Sequence, residues 1–300
     1  MDTDKKCIII LSSKSSGSSV LQRLLAQNNS TKHVTSTRHN ENETLYWVKA
    51  ASILELPQVN MLDSEVPIQK HRAKQELIDL LRKNVDKEYI PMDDDKAFVF
   101  DGWAKLCQHF SPVFIEKSPH HLHQWSSIQL IMECMQELND VEFLIIGLVR
   151  NPMDTLYSMW CRWRSRPEQM QYEWLLAYQN LINLKEILRE KLVIIRYEDL
   201  ISHHSELDKV YEFIQYQQSE QPVKKISHTK LLGKWRDDKS FGFKLSQDVI
   251  EQAEIFGYDR KELSNSSNFT WPVYREFMRM RYNVTSHIYN ALKALINRSK

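Results

Sequence analysis

The chain has 300 residues, 42% of them hydrophobic and 26% charged, a composition that supports one large packed domain or two small ones and argues against disorder. Forty Lys and Arg against 39 Asp and Glu leave a formal net charge of +1, so no overall basic field exists to draw nucleic acid or an anionic membrane. The longest apolar runs are strand-length, short of the roughly 18 residues that span a bilayer, and the N-terminus has neither the apolar length nor the small-residue cleavage site of a secretory signal. The expectation is a cytoplasmic protein without a membrane span or a nucleic-acid partner. Cys7, Cys107, Cys134 and Cys161 form no C-x-x-C pair, which predicts reduced, buried thiols in keeping with that compartment.

In chain order, apolar and β-branched runs at 7–11, 113–115, 143–149 and 192–195 predict strands. None alternates with period two, as expected of strands buried on both faces of a parallel sheet. Helical spacing lies between them: Val20, Leu21, Leu24 and Leu25, then Leu77, Ile78, Leu80 and Leu81, then Ile128, Ile131, Met132, Met135 and Leu138. Strands alternating with helices predict right-handed crossovers and a three-layer α/β/α fold with a central parallel sheet. We expect one domain over 1–300, with helical insertions, flexible stretches at 85–96 and 261–268, and a basic helical tail over about 271–300.

Chemistry concentrates where strands run out. The first strand leads into Ser12, Ser13, Lys14, Ser15, Ser16, Gly17, Ser18 and Ser19. In a chain with six glycines, Gly17 at a strand-to-helix turn can take positive φ and bring backbone close to a ligand, while the amides of Ser18 and Ser19 open the next helix as an anion site. The competing reading is an ordinary turn, because serine is a common helix cap. The strongest strand ends at Arg150, followed by Asn151 as helix cap, Pro152 at the first helical position and Asp154 as capping partner. Arg150 then sits at a strand's carboxyl end, where open α/β sheets bind ligands. Asn151, Ser158 and Arg162 share one helix face, so one anion could meet them all, although a solvent-facing Ser and a carboxylate-bound Arg would give the same pattern.

Together these segments resemble the sulfotransferases that use 3′-phosphoadenosine-5′-phosphosulfate (PAPS). That family holds the 5′-phosphosulfate in an [RK]-[ST]-G-[ST]-[ST] loop of P-loop type and the 3′-phosphate with the Arg and Ser of R-[ND]-P-x-D-x-x-x-S. The resemblance assigns the first role to residues 15–19 and the second to Arg150 and Ser158, with Arg162 as a third contact. The basic residue of the loop falls on Ser15 here, and Lys14 stands one position earlier. Glu116-Lys117-Ser118-Pro119 is similar to the family's E-K-S/T-P segment, whose Lys stabilises the bridging oxygen and transferring sulfonate. Tyr197-Glu198-Asp199 resembles the Y-E-D segment, with Tyr197 against adenine. Leu232-Gly233-Lys234-Trp235, leading to Gly257-Tyr258-Asp259, resembles the tail of tyrosylprotein and related enzymes, where Lys234 and an earlier Ser, here Ser227, reach the nucleotide.

For the base, the segment at 41–47 is similar to the acidic loop of heparan-type enzymes and Glu43 aligns with their catalytic Glu, which must lie within about 3 Å of the acceptor hydroxyl. His120 competes, as the counterpart of the His in the cytosolic enzymes' K-T-H, and a Glu exposed in a polar loop remains an alternative for Glu43. His120, His121 and His123 lack the spacing of a metal site, and the resemblance implies no metal. It implies sulfonate transfer from PAPS to a hydroxyl acceptor, whether carbohydrate, lipid, small molecule or peptide, with specificity in loops at 40–61 and 85–101. Two other functions stay open: a P-loop nucleotide kinase, against which stands the missing Lys after Gly17, and a non-catalytic PAP- or PAPS-binding protein, for which the displaced Lys14 speaks.

Overall fold

The run at 7–11 is the middle of the sheet. Strand β1 (Lys5–Ser12) lies between β3 (Val113–Lys117) and β4 (Val141–Val149), with β2 (Thr31–Lys32) and β5 (Leu192–Arg196) at the edges, and all pairings are parallel. The order β2-β3-β1-β4-β5 makes the carboxyl end of β1 a topological switch point, with one neighbour reached through β2 and the other from the opposite side. The register sets Ile10 beside Lys117, Ser12 beside Leu148 and Val149 beside Arg196. The segments that carry chemistry therefore leave the sheet along one edge. Residues 7–11 of β1 are completely buried, which explains the missing alternation: neither face of this run meets water.

The computed structural model describes residues 5–202, 204–215, 232–238, 241–264 and 271–298. The chain forms two compact units, Met1–Arg150 with Glu173–Thr229, and Asn151–Tyr172 with Lys230–Lys300. The first holds the sheet, flanked by α1 (Ser18–Leu25), α2 (Tyr46–Ile53), α3 (Lys70–Asn84), α4 (Asp95–His109) and α5 (Trp125–Glu137). The second begins with α6 (Pro152–Trp163) and the first turns of α7 (Pro167–Leu188), whose remainder belongs to the first unit together with α8 (Tyr197–Ser202) and α9 (Asp208–Phe213). It also holds α10 (Gln247–Ile255) and α11 (Trp271–Arg298), the helix expected for the basic tail.

The α/β fold with its parallel sheet is as the sequence predicts, and three local expectations are corrected. The stretches at 40–61 and 85–101, taken as loops, contain α2 and the start of α4. Every residue of α2 is buried, so it presents no polar face and no 3.6-residue pattern. Tyr46 and Trp47 of α2 meet Trp103 of α4 at ring distances of 4.9 and 4.7 Å, and Trp103 reaches Phe114 of β3 at 5.4 Å, which ties the hidden helix to the sheet. Within 85–96, expected to be flexible, Tyr89 is buried and donates to Asp101, and Asp94 caps α4 by accepting the Ala97 amide. Finally, Cys161 is exposed while the other cysteines are buried, because it lies in the last turn of α6, past the face carrying Leu156, Met159 and Trp160. Among the described residues no helix is long and apolar enough to cross a membrane.

Candidate active site

At the end of β1 the chain turns through residues 13–17 before α1 begins, and two of these take left-handed backbone, Ser15 at φ +61° and Gly17 at φ +91°. A Cβ on Gly17 would lie 2.3 Å from the Tyr197 ring, so glycine is required both by conformation and by the approach of that ring. The Gly17 carbonyl accepts the amides of Val20 and Leu21, which leaves the amides of Ser18 and Ser19 at the open end of the helix, where a helix has no partner for them. Ser13 and Ser16 bond each other through their hydroxyls at 2.7 Å, and the Tyr178 hydroxyl lies 2.9 Å from Ser16 Oγ while donating to the Leu148 carbonyl. Burial raises the Tyr178 phenol above its usual pKa, against the opposing effect of the serines, and keeps it a donor. Tyr178 thus bolts the loop to β4 from a helix 162 residues away in sequence.

Arg150 is 8% exposed, donates from Nη1 to the Ser15 carbonyl at 2.9 Å and stacks its guanidinium 4.8 Å from the centre of the Tyr197 ring. The Trp174 indole donates to its carbonyl. Tyr197 is itself buried, with Gly17 and Arg150 against its ring. Three polar atoms around this turn, Ser12 Oγ, Ser15 Oγ and Arg150 Nε, are buried without a protein partner. All three are groups that can donate to an oxyanion. Lys14 faces otherwise: its ammonium lies 3.0 Å from Glu173 and donates to the Leu62 carbonyl at 2.6 Å.

One strand over, Lys117 is fully buried at the end of β3 and donates to the Glu41 carbonyl at 2.9 Å and to Glu43 Oε1 at 3.3 Å. His120 Nδ1, also buried, stands 3.8 Å from the other Glu43 oxygen, beyond hydrogen-bond reach. The candidate base, its rival and the candidate sulfonate-stabilising cation therefore meet in one place. Burial raises the Glu43 carboxyl above its usual pKa and Lys117 partly offsets this, while burial and then Lys14 push His120 well below the imidazole range. The segment carrying Glu43 is strained: Glu41, Asn42 and Leu45 all have left-handed backbone, at φ +59°, +58° and +51°. Each costs of order 1 kcal/mol or more and persists only where its surroundings hold it, a pattern that clusters at functional sites. His121 and His123 turn elsewhere, to Glu116 at 3.3 Å and to the Pro119 carbonyl at 3.2 Å. Among the described residues no group of three His, Cys, Asp or Glu side chains is arranged to hold a metal ion.

In the second unit, Asn151 caps α6 as expected, accepting the Met153 and Asp154 amides, with Pro152 at the first helical position. Ser158 is half-buried and Arg162, four residues on along the same face, is exposed, its guanidinium over the Trp163 ring. Asp154 accepts the Gly233 amide at 2.8 Å, and Gly233 at φ +66° starts the turn that exposes Lys234 and buries Trp235. Ser227 lies outside the described residues. Sequence reasoning did not single out Tyr178, Thr44 or Ser118 for their own contacts. Tyr178 offers no local signal, because both of its serine partners lie on a distant segment.

The family model described as "Sulfotransferase family" matches residues 7–220. In the solved structures, the sulfotransferase domain of the olefin synthase of Synechococcus PCC 7002 superposes with a TM-score of 0.54 at 18% identity, covering 85% of this chain and 95% of that one. The sulfotransferase domain of the curacin biosynthetic pathway gives a TM-score of 0.53 at 17% identity, covering 84% of this chain and 97% of that one. At these identities the likeness establishes the fold alone. No curated protein sequence matches significantly. The match over residues 7–220, on a parallel sheet shared with these domains, shows that the chain belongs to the sulfotransferase family.

Proposed function

We propose that this sulfotransferase takes its sulfonate from PAPS and passes it to a hydroxyl acceptor, with Glu43 as base and Lys117 as the stabilising cation. The observation that carries the reading is the 3.3 Å approach of Lys117 Nζ to Glu43 Oε1 at the carboxyl edge of the sheet, one strand from the serine loop. The loop supports the donor assignment. Its free helix-end amides and the unpartnered Ser15 Oγ and Arg150 Nε are donors suited to phosphate and sulfonate oxygens. PAPS supplies an activated sulfonate on a phosphate leaving group. Glu43 accepts the acceptor's hydroxyl proton, the acceptor oxygen forms its bond to sulfur, and the bond from sulfur to the bridging phosphate oxygen breaks. Lys117 and the amides of residues 16–19 meet the charge that develops, without reorganising at the moment of reaction. The product nucleotide is 3′-phosphoadenosine 5′-phosphate (PAP).

Arg150 is the proposed holder of the 3′-phosphate, a guanidinium fork being suited to a phosphate dianion. Tyr197 fixes that guanidinium by stacking, and its contact with adenine is carried over from the resemblance. Ser158, Arg162, Ser227 and Lys234 keep their proposed nucleotide roles on the same basis. Lys14, tied to Glu173 and Leu62, is the member of the set whose contacts point away from that role. Thermal denaturation with EDTA present tests the donor. PAP at about 100 times its dissociation constant should stabilise the fold by about 2.7 kcal/mol. Stabilisation by ATP with Mg²⁺ and none by PAP would overturn the reading.

A further inference from the structure

Residues on either side of Lys117 make contacts that its own chemistry does not need. Glu116 and Ser118 are buried at 1% and 0% exposure, and both are bonded to Thr44, the residue after the proposed base. Ser118 Oγ accepts the Thr44 amide at 3.1 Å and the Leu45 amide at 3.0 Å, and donates to Glu116 Oε1 at 2.6 Å. A hydroxyl has one proton and two lone pairs, so Ser118 is saturated and has nothing left to offer a ligand. The Thr44 hydroxyl donates to the same Glu116 oxygen at 2.7 Å and accepts the Tyr46 amide at 3.1 Å, while the Thr44 carbonyl accepts from Lys49 Nζ at 2.9 Å. Lys49 is held in turn by Glu76 at 3.2 Å, and His121 Nε2 stands 3.3 Å from the same Glu116 oxygen. The amide, hydroxyl and carbonyl of Thr44 are thus all fixed in a buried site, between the left-handed backbone of Asn42 and that of Leu45.

We propose that Ser118 and Thr44, anchored on the buried Glu116, are positioning residues that hold Glu43 against Lys117. The inference rests on the reading of Glu43 as base and deepens it. One short run, Glu116-Lys117-Ser118, supplies the cation that faces Glu43 and the two anchors that fix the residue following Glu43. Base and cation therefore share a single rigid origin at the end of β3. This explains how a left-handed backbone at Asn42 and Leu45 is sustained: the tethers are buried, and releasing either one strands amide donors away from water.

Thr44→Val keeps the shape and removes the hydroxyl, and Thr44→Ser restores it. A 1 Å misplacement of a reacting group can cost about 100-fold, so kcat in Thr44→Val should fall at least about 10-fold, with KM for PAPS within about twofold, and Thr44→Ser should recover most of the loss. An undiminished kcat in a Thr44→Val protein whose melting temperature has fallen would show a merely structural role and overturn the proposal. Amide hydrogen exchange supplies a readout that needs no turnover. The Thr44 and Leu45 amides should be protected in the wild type and exchange at least about 10-fold faster in Ser118→Ala. Rapid exchange of both amides in the wild type would overturn the tether. A wild type that transfers no sulfonate would defeat the function proposed above, and the exchange comparison would still decide the tether either way.

Discussion

A proton acceptor strengthens as the pKa of its conjugate acid rises, and the two candidates at this site move in opposite directions. Burial raises Glu43, and Lys117 only partly reverses it, while burial and the nearby Lys14 drive His120 down into a weakly basic neutral imidazole. Both directions agree with the proposed assignment of the base to Glu43. With Glu43 as base, kcat/KM should decline as pH falls through its raised pKa, because the protonated carboxyl accepts nothing, so the acid limb should lie above the ordinary carboxylate value of 4.5. A pH–rate profile of His120→Ala should keep that limb, and loss of the limb in this variant would assign the base to imidazole. At this scale the sequence showed which residue types to look for, because Glu43 and Lys117 sit in short motifs. Their meeting was not legible, since the pairing spans 74 residues and depends on Thr44 and Ser118, whose importance appears only in their hydrogen bonds.

Strand-to-helix turns make the site, and each is fixed by something outside itself. The loop after β1 is held by the Tyr197 ring on Gly17 and by the Tyr178 hydroxyl on Ser16, so its shape depends on α7 and α8 as much as on its own residues. Gly17→Ala forces a Cβ into the ring at 2.3 Å and strains a backbone at φ +91°. It should destabilise the protein by about 1–3 kcal/mol in urea denaturation and weaken PAP binding at least about 10-fold. A variant with unchanged PAP affinity would mean that the loop does not carry the nucleotide. Four of the five strands were readable because they carry short apolar runs, those of β1 and β3 buried throughout, whereas β2, two polar residues at the sheet edge, left no such run. Helix α2 was not, because burial on every side erases the amphipathic pattern, and its buried Lys49 and Ser52 read as polar loop residues until Glu76 and the Val48 carbonyl are seen beside them.

Across the whole molecule, the first unit carries several histidines that burial keeps neutral. His123 is pushed down to about 3 and His39 to about 4, in each case by burial first and by a nearby lysine next. Their unfolded value is 6.5, so unfolding takes up protons between that value and the folded one. The stability they contribute is complete above pH 6.5 and is lost progressively as pH falls towards 3. Replacing His123 with Asn, which can still donate to the Pro119 carbonyl, should flatten the decline of the melting temperature over this window; an unchanged slope would show that His123 does not titrate on unfolding. At this scale the α/β class and the parallel sheet followed from the alternation of apolar runs with helical spacing. The division into two units did not, because the chain passes between them at three places, one of them inside α7, and no change of composition marks that one. The central claim is that the Glu43 and Lys117 pair transfers a sulfonate, and it is tested most directly by incubating the wild type and Glu43→Gln with sulfonate-radiolabelled PAPS and a panel of sugar, lipid, phenol and peptide hydroxyl acceptors. The account predicts labelled product from the wild type, and from Glu43→Gln a rate lower by about 10²- to 10⁴-fold at unaltered affinity for PAP. Equal transfer by both proteins, or tight PAP binding by the wild type with no labelled product from any acceptor, would contradict it.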